Sequence, residues 1–205
     1  MSFGNGGKVV IGFGAELSPK LSAVEIQPDG KIVAAGEAGF SDFALARFTT
    51  DGRFDPTFGD GGKVLTDFTP ASNCDGCTKT EDSAHALAIQ RDGKIVAAGS
   101  SDAHGNCDDR GNSCDNFALA RYNTDGTLDQ SFGAGGKVVT GFVRRPSHEP
   151  SSSLAEAVAI QKNGKLLVAG LGAGYDFALA RYTTGGRLDR SFGSGGKVLT
   201  DFGSG

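Results

Sequence analysis

The sequence predicts an all-β fold of propeller-type four-stranded blades, and three observations carry that prediction. One motif recurs along the chain, as FGNGGKVVIGF from Phe3, FGDGGKVLTDF from Phe58, FGAGGKVVTGF from Phe132 and FGSGGKVLTDF from Phe192, at spacings of 55, 74 and 60 residues. A period of that size marks an array of one supersecondary unit, with insertions gathered in loops on one face. Within each copy, short apolar runs are punctuated by Asp-Gly or Asn-Gly, which supply the positive φ angles of tight hairpins. The runs KIVAAG and FALAR do not alternate apolar with polar, so both of their faces need cover. A small antiparallel sheet stacked between two like it meets all three conditions.

The elements follow in order. The first copy offers strands at Lys8–Phe13, Ala23–Gln27, Lys31–Gly36 and Phe43–Phe48. Pro28-Asp29-Gly30, Arg91-Asp92-Gly93 and Lys162-Asn163-Gly164 pair the second and third strands of each copy as hairpins. The chain reads as one repeat array over 1–205, with blades at approximately 3–57, 58–131 and 132–191 and an extra first strand in 192–205. That makes thirteen strands. Propellers have about four to eight blades, so three leave open edges that seek partners. The expectation is a homo-oligomer, most simply a two-chain, six-bladed ring.

Loop lengths locate the functional face. From the Phe of FALAR to the next FG motif is 15 residues in every copy, and the hairpin turn is constant too. Variation is confined to two connections. Phe13–Ile26, Phe68–Ile89 and Phe142–Ile160 span 13, 21 and 18 residues, and Gly36–Phe43, Gly99–Phe117 and Gly170–Phe177 span 7, 18 and 7. In an up-and-down meander both emerge on one edge, which becomes the expected binding edge. Cys74, Cys77, His104, Cys107, Cys114 and His148 fall in those loops, and His85 opens a strand beside them. Ser22, His85 and Glu156 are equivalent positions in the three copies, so His85 and Glu156 depart from the repeat at one place on neighbouring blades.

The pattern FGxGGKV…AxAIQxDGKIVAAG…DFALARYNTDGxLDxSFG closely resembles the delta-60 repeat of bacterial exported and cell-surface proteins, and it covers essentially the whole chain. The resemblance implies a β-propeller-like repeat and an extracellular or cell-surface location. It brings no agreed activity and no catalytic motif. Because the repeat begins at Phe3, the expectation is that this chain holds no signal peptide. The expectation is therefore a segment of something longer, or a chain whose export signal has been removed.

The candidate chemistry divides by residue type. Cys74-x2-Cys77 and Cys107-x6-Cys114 lie in loops of one blade. They suit two disulfides in an exported protein first, a four-thiolate structural zinc second and free thiols last. Asp75, Glu81, Asp82, Asp102, Asp108, Asp109 and Asp115 make the same loops oxygen-rich, which suits calcium, although such residues are also ordinary turn formers. His85, His104 and His148 could hold a metal, with Glu156 as a ligand or as the base that orients a bound water. Propellers similar to paraoxonase and gluconolactonase work that way on lactones and phosphoesters, which is an analogy at the level of fold. Arg47, Arg121 and Arg181, each followed by Asp55, Asp129 or Asp189, recur in every copy and so serve structure, because a buried arginine must be paired.

A net charge of −4 over 205 residues gives no basic footprint for nucleic acid, and no apolar run reaches the roughly 18 residues of a membrane helix. The resulting expectation is a ligand- or surface-binding module of an exported bacterial protein, acting at the variable-loop edge on an unknown ligand. The alternative is a metal-dependent hydrolase (esterase, lactonase or phosphotriesterase) on that edge, with zinc or calcium as the possible metal.

Overall fold

In the computed structural model, which describes residues 3–10, 12–13, 19–38, 42–68, 82–102, 115–142, 152–172 and 176–201, strands pair strictly with their neighbours in sequence. The strands are β1 Lys20–Ile26, β2 Ile32–Ala38, β3 Asp42–Phe48, β4 Lys63–Thr66, β5 Asp82–Ile89, β6 Ile95–Ser101, β7 Asn116–Tyr122, β8 Lys137–Thr140, β9 Leu154–Ile160, β10 Leu166–Leu171, β11 Phe177–Tyr182 and β12 Lys197–Thr200. They form three four-stranded antiparallel sheets, β1–β4, β5–β8 and β9–β12, and none closes on itself. The first strand of each sheet packs on the first strand of the next, β1 on β5 and β5 on β9. These strands therefore lie innermost, and the FG-motif strand lies outermost.

The sheets are phased one strand away from the sequence repeat. The strand after each FG motif folds back onto the FALAR strand before it, with Phe43 opposite Thr66, Phe117 opposite Thr140 and Phe177 opposite Thr200. The turn forces this reversal: Gly59, Gly61 and Gly62 all have positive φ, and Gly62 N–H closes on Phe58 O at 2.8 Å. The segment expected as an extra strand in 192–205 is therefore the fourth strand of the third sheet. The described residues hold twelve strands rather than thirteen. The expected first strand, Lys8–Phe13, makes no ladder among the described residues, although its turn keeps the same bridge, Asn5 to Lys8.

Two apolar layers join the three sheets. One holds Val33, Phe43 and Leu45 of the first sheet against Leu87, Ile95 and Tyr122 of the second. The next repeats it with Val96, Phe117 and Leu119 against Leu166, Val168 and Tyr182. Each sheet thus has two unlike faces, and one kind always meets the other. On the free face of the first sheet, Val9 and Phe13 cover Ala34, Ala46 and Phe48. Val64 and Val138 occupy the corresponding place at the two internal junctions.

The recurring arginines are paired as their recurrence predicts. Arg47 Nε donates to Asp55 at 2.8 Å, Arg121 Nε to Asp129 at 2.8 Å and Arg181 Nε to Asp189 at 2.7 Å. Lys31, Lys94 and Lys165 close on the same carboxylates at 2.9, 2.6 and 2.8 Å. Arg47 also donates to Thr124 O, and Arg121 to Thr184 O, so each reaches into the turn of the next blade. Burial alone would raise the Asp55 and Asp129 pKa values. Hydrogen bonds from Thr57 and Lys31, and from Lys94 and Ser131, together with the facing guanidinium, hold both well below the usual carboxylate range. Asp189 is lowered as well, first by Lys165 and Ser191.

Removing one partner of such a pair strands the other charge. Asp129→Ala is therefore expected to cost about 3–5 kcal/mol in urea unfolding. A loss below about 1 kcal/mol, the worth of an exposed pair, would show that the pair is not structural. The three lowered carboxylates also set a pH dependence. Their contribution is complete above the ordinary carboxylate range near pH 4 and is lost as pH falls toward their native values.

Candidate functional site

The innermost strands each carry one extra residue. In β1 the pairing skips from Leu21 opposite Gly36 to Ala23 opposite Ala35, which leaves Ser22 over. In β5 and β9 the residues left over are His85 and Glu156. Such a bulge bends the strand and re-aims its side chain. It also explains the glycine that ends KIVAAG: a Cβ on Gly99 would lie 1.9 Å from Ser83 O, and one on Gly36 or Gly170 would lie 1.8 Å from Lys20 O or Leu154 O. No side chain fits where the bulged backbone crosses.

Because the bulges sit at one height on adjacent inner strands, the two residues that depart from the repeat meet. His85 Nδ1 lies 3.5 Å from Glu156 Oε2, an ion pair whenever the imidazole is protonated. His85 is mostly covered and Glu156 is half exposed, so the pair opens to solvent from one side. Of the other sequence-derived candidates, His104, His148, Cys74, Cys77, Cys107 and Cys114 lie outside the described residues, as do Asp75, Glu81, Asp108 and Asp109. Their pairing and any metal they hold stay expectations.

A second cluster lies on the variable-loop edge, and only Asp82 of its three members was singled out from sequence. Asp42 opens β3, Asp67 follows β4 and Asp82 opens β5, so the meander brings the ends of three strands from two blades together. One carboxylate oxygen from each lies within 4.8 Å of the others. Asp82 is fully buried. Its Oδ2 accepts from Phe68 N–H at 2.8 Å, while its buried Oδ1 has no hydrogen-bond partner among the described residues. Burial pushes the Asp82 pKa up to about 6 against the pull of Phe68 N–H and Ser101, and the charges of Asp67 and Asp42 push the same way. Burial, then Asp67, also raises Asp42. At the next junction Asn116, Gly141 and Ser153 stand in these three places.

Three segments, residues 27–58, 90–132 and 161–192, match the model of a family described as a domain of unknown function (DUF5122), beta-propeller. They cover just over half of the chain. The chain belongs to this family. No curated protein sequence matches it. The match accords with three four-stranded antiparallel blades, and each matched segment runs from the hairpin turn through FALAR to the FG motif. His85, Glu156, Asp67 and Asp82 fall between the matched segments, in the part that varies from blade to blade.

With a native pKa near 6 against an ordinary value of 3.8, ionised Asp82 opposes folding. The cost is full above about pH 6 and vanishes below about pH 4. In chelator-treated protein, Asp82→Ser should therefore stabilise the fold by up to about 3 kcal/mol at pH 7.5 and leave it unchanged at pH 4, as read by denaturant unfolding. An equal effect at both pH values would refute the assignment.

Proposed function

We propose that the chain is a ligand- or surface-binding propeller module of an exported protein, closed by self-association and binding at its variable-loop edge. One observation carries the reading. The repeated polar residues that recur in every blade are spent on holding blades together, whereas the unrepeated ones, His85, Glu156 and Asp82, gather toward one edge. Export is supported by the resemblance to delta-60 repeats. Binding at that edge is tested by probing glycan and small-molecule arrays with the chain and with its His85→Ala and Glu156→Gln variants. Retention in the chain and loss in both variants, with unchanged circular dichroism, is the expected result; binding indifferent to both would move the site elsewhere.

Self-association is supported by the end blades. Phe177 is 59% exposed, while its equivalents Phe43 and Phe117 are at 0%. Phe177 lines a groove of about 380 Å³ with Ala169, Leu171 and Leu179. At the other end Val24 is 65% exposed, where its equivalent Leu87 is at 6%. These are the two unlike faces that already pack together twice within the chain, so a second copy brings the matching surface to each. A contact of that head-to-tail kind closes into a ring when its rotation allows, and two chains would make six blades. Sedimentation at micromolar concentration should show a dimer or a larger closed ring, and Phe177→Asp should return it to monomer. A monomeric parent chain would overturn the ring.

A second reading, a metal-dependent esterase, lactonase or phosphotriesterase, is favoured by the 3.5 Å approach of His85 to Glu156. On this reading His85, with His104 and His148, would hold the metal, and Glu156 would act as ligand or as the base for a bound water. It requires chelator-sensitive hydrolysis of ester or phosphotriester substrates that is lost in His85→Ala and in at least one of His104→Ala and His148→Ala. Absence of such turnover leaves the binding module.

A further inference from the structure

The same edge carries a site that depends neither on His85 nor on the binding reading. We propose that Asp42, Asp67 and Asp82 bind one divalent cation, calcium, where the first and second blades meet. The donor set is oxygen alone, which is the choice of hard cations. The spacing fits as well. Ligand oxygens lie about 2.3–2.6 Å from calcium, so two that share the ion stand at most about 5 Å apart. One carboxylate oxygen from each of these three side chains lies within 4.8 Å of the other two.

Proximity of acids is common on surfaces, and the buried member distinguishes this cluster. Asp82 is fully buried, and one of its two carboxylate oxygens has no hydrogen-bond partner among the described residues. A buried polar atom without a partner calls for an explanation, an unseen ion among them. Phe68 N–H occupies Oδ2, and the buried Oδ1 is left for an ion.

The molecule also supplies its own comparison. At the junction of the second and third blades the equivalent positions are Asn116, Gly141 and Ser153. That junction keeps the same strand pairing and the same apolar layer. Three carboxylates are thus unnecessary for joining two blades, and their convergence at one junction needs another reason.

Calcium suits the cluster better than magnesium. Magnesium keeps several waters and takes one or two carboxylates, whereas calcium accepts three or more in irregular geometry. An ion there would tie the start of β3 and the end of β4 to the start of β5, and so fix how the first two blades meet at the variable edge.

The test uses the whole chain, stripped with chelator and dialysed, with calcium chloride titrated by calorimetry and by thermal melting. One calcium per chain should bind, and the melting midpoint should rise by several degrees. Asp82→Ser copies the third blade's own residue and so preserves the fold. It should abolish both responses while melting no lower than the chelated parent, and Asp42→Asn should weaken binding at least tenfold. No heat and no shift with millimolar calcium would overturn the site. A response that survives in Asp82→Ser would overturn it too, by moving the ion to other ligands. Magnesium binding as tight as calcium would overturn the choice of ion.

Discussion

Each blade hangs on the ion pair between the arginine of its third strand and the aspartate eight residues further on. A guanidinium at the end of a strand covered on both faces cannot stay unpaired. Asp55 and Asp129 answer Arg47 and Arg121, and in doing so they pin the turn that leads into the FG motif. The turn then sets the direction of the fourth strand. The same arginines lie over Phe58 and Phe132 at 4.6 and 4.5 Å and reach the turn of the next blade. In the first two blades one side chain thus links strand, turn and neighbour, and the lysine of the hairpin completes the neutralisation. That is why the turn edge of the molecule is constant in length.

The opposite edge carries no such obligation. Its constraint is the bulge on each innermost strand, and a bulge demands a particular residue opposite it rather than at its tip. Gly36, Gly99 and Gly170 meet that demand by having no Cβ. The tip is then free to be Ser22, His85 or Glu156 without cost to the sheet. The fold separates two kinds of position in this way: repeated residues hold the blades, while the bulge tips and strand ends at the other edge are free to differ from blade to blade. The His85–Glu156 approach and the aspartate cluster both arise where the repeat leaves that freedom.

The interfaces between blades explain the ends of the array. Each joins two unlike faces, so any linear stack finishes with one of each exposed. The N-terminal FG motif covers part of the first face, since Gly4 N–H bonds Asp51 O at 2.8 Å just as Gly59 bonds Asp125 and Gly133 bonds Gly185. It takes the place of a preceding blade's outermost strand. In a second copy docked there, β12 and this motif would compete for one position.

Much of this architecture was legible in the sequence. Gly30, Gly93 and Gly164 marked hairpins because each takes a positive φ there, and the recurrence of Arg47 with Asp55 marked a structural pair. The equivalence of His85 and Glu156 was legible too, since counting back from Ile89 and Ile160 needs no coordinates. What the sequence left open was phase. A period is the same wherever counting begins, and only hydrogen bonding decides that the FG strand completes the preceding sheet. The aspartate cluster was equally invisible. Asp42, Asp67 and Asp82 have no motif spacing, and they meet because the ends of β3 and β4 and the start of the next blade's β5 share one edge of the stack. Local residue chemistry specifies turns and pairs, whereas a site assembled from strand ends of two blades exists only once apolar packing has set one sheet against the next.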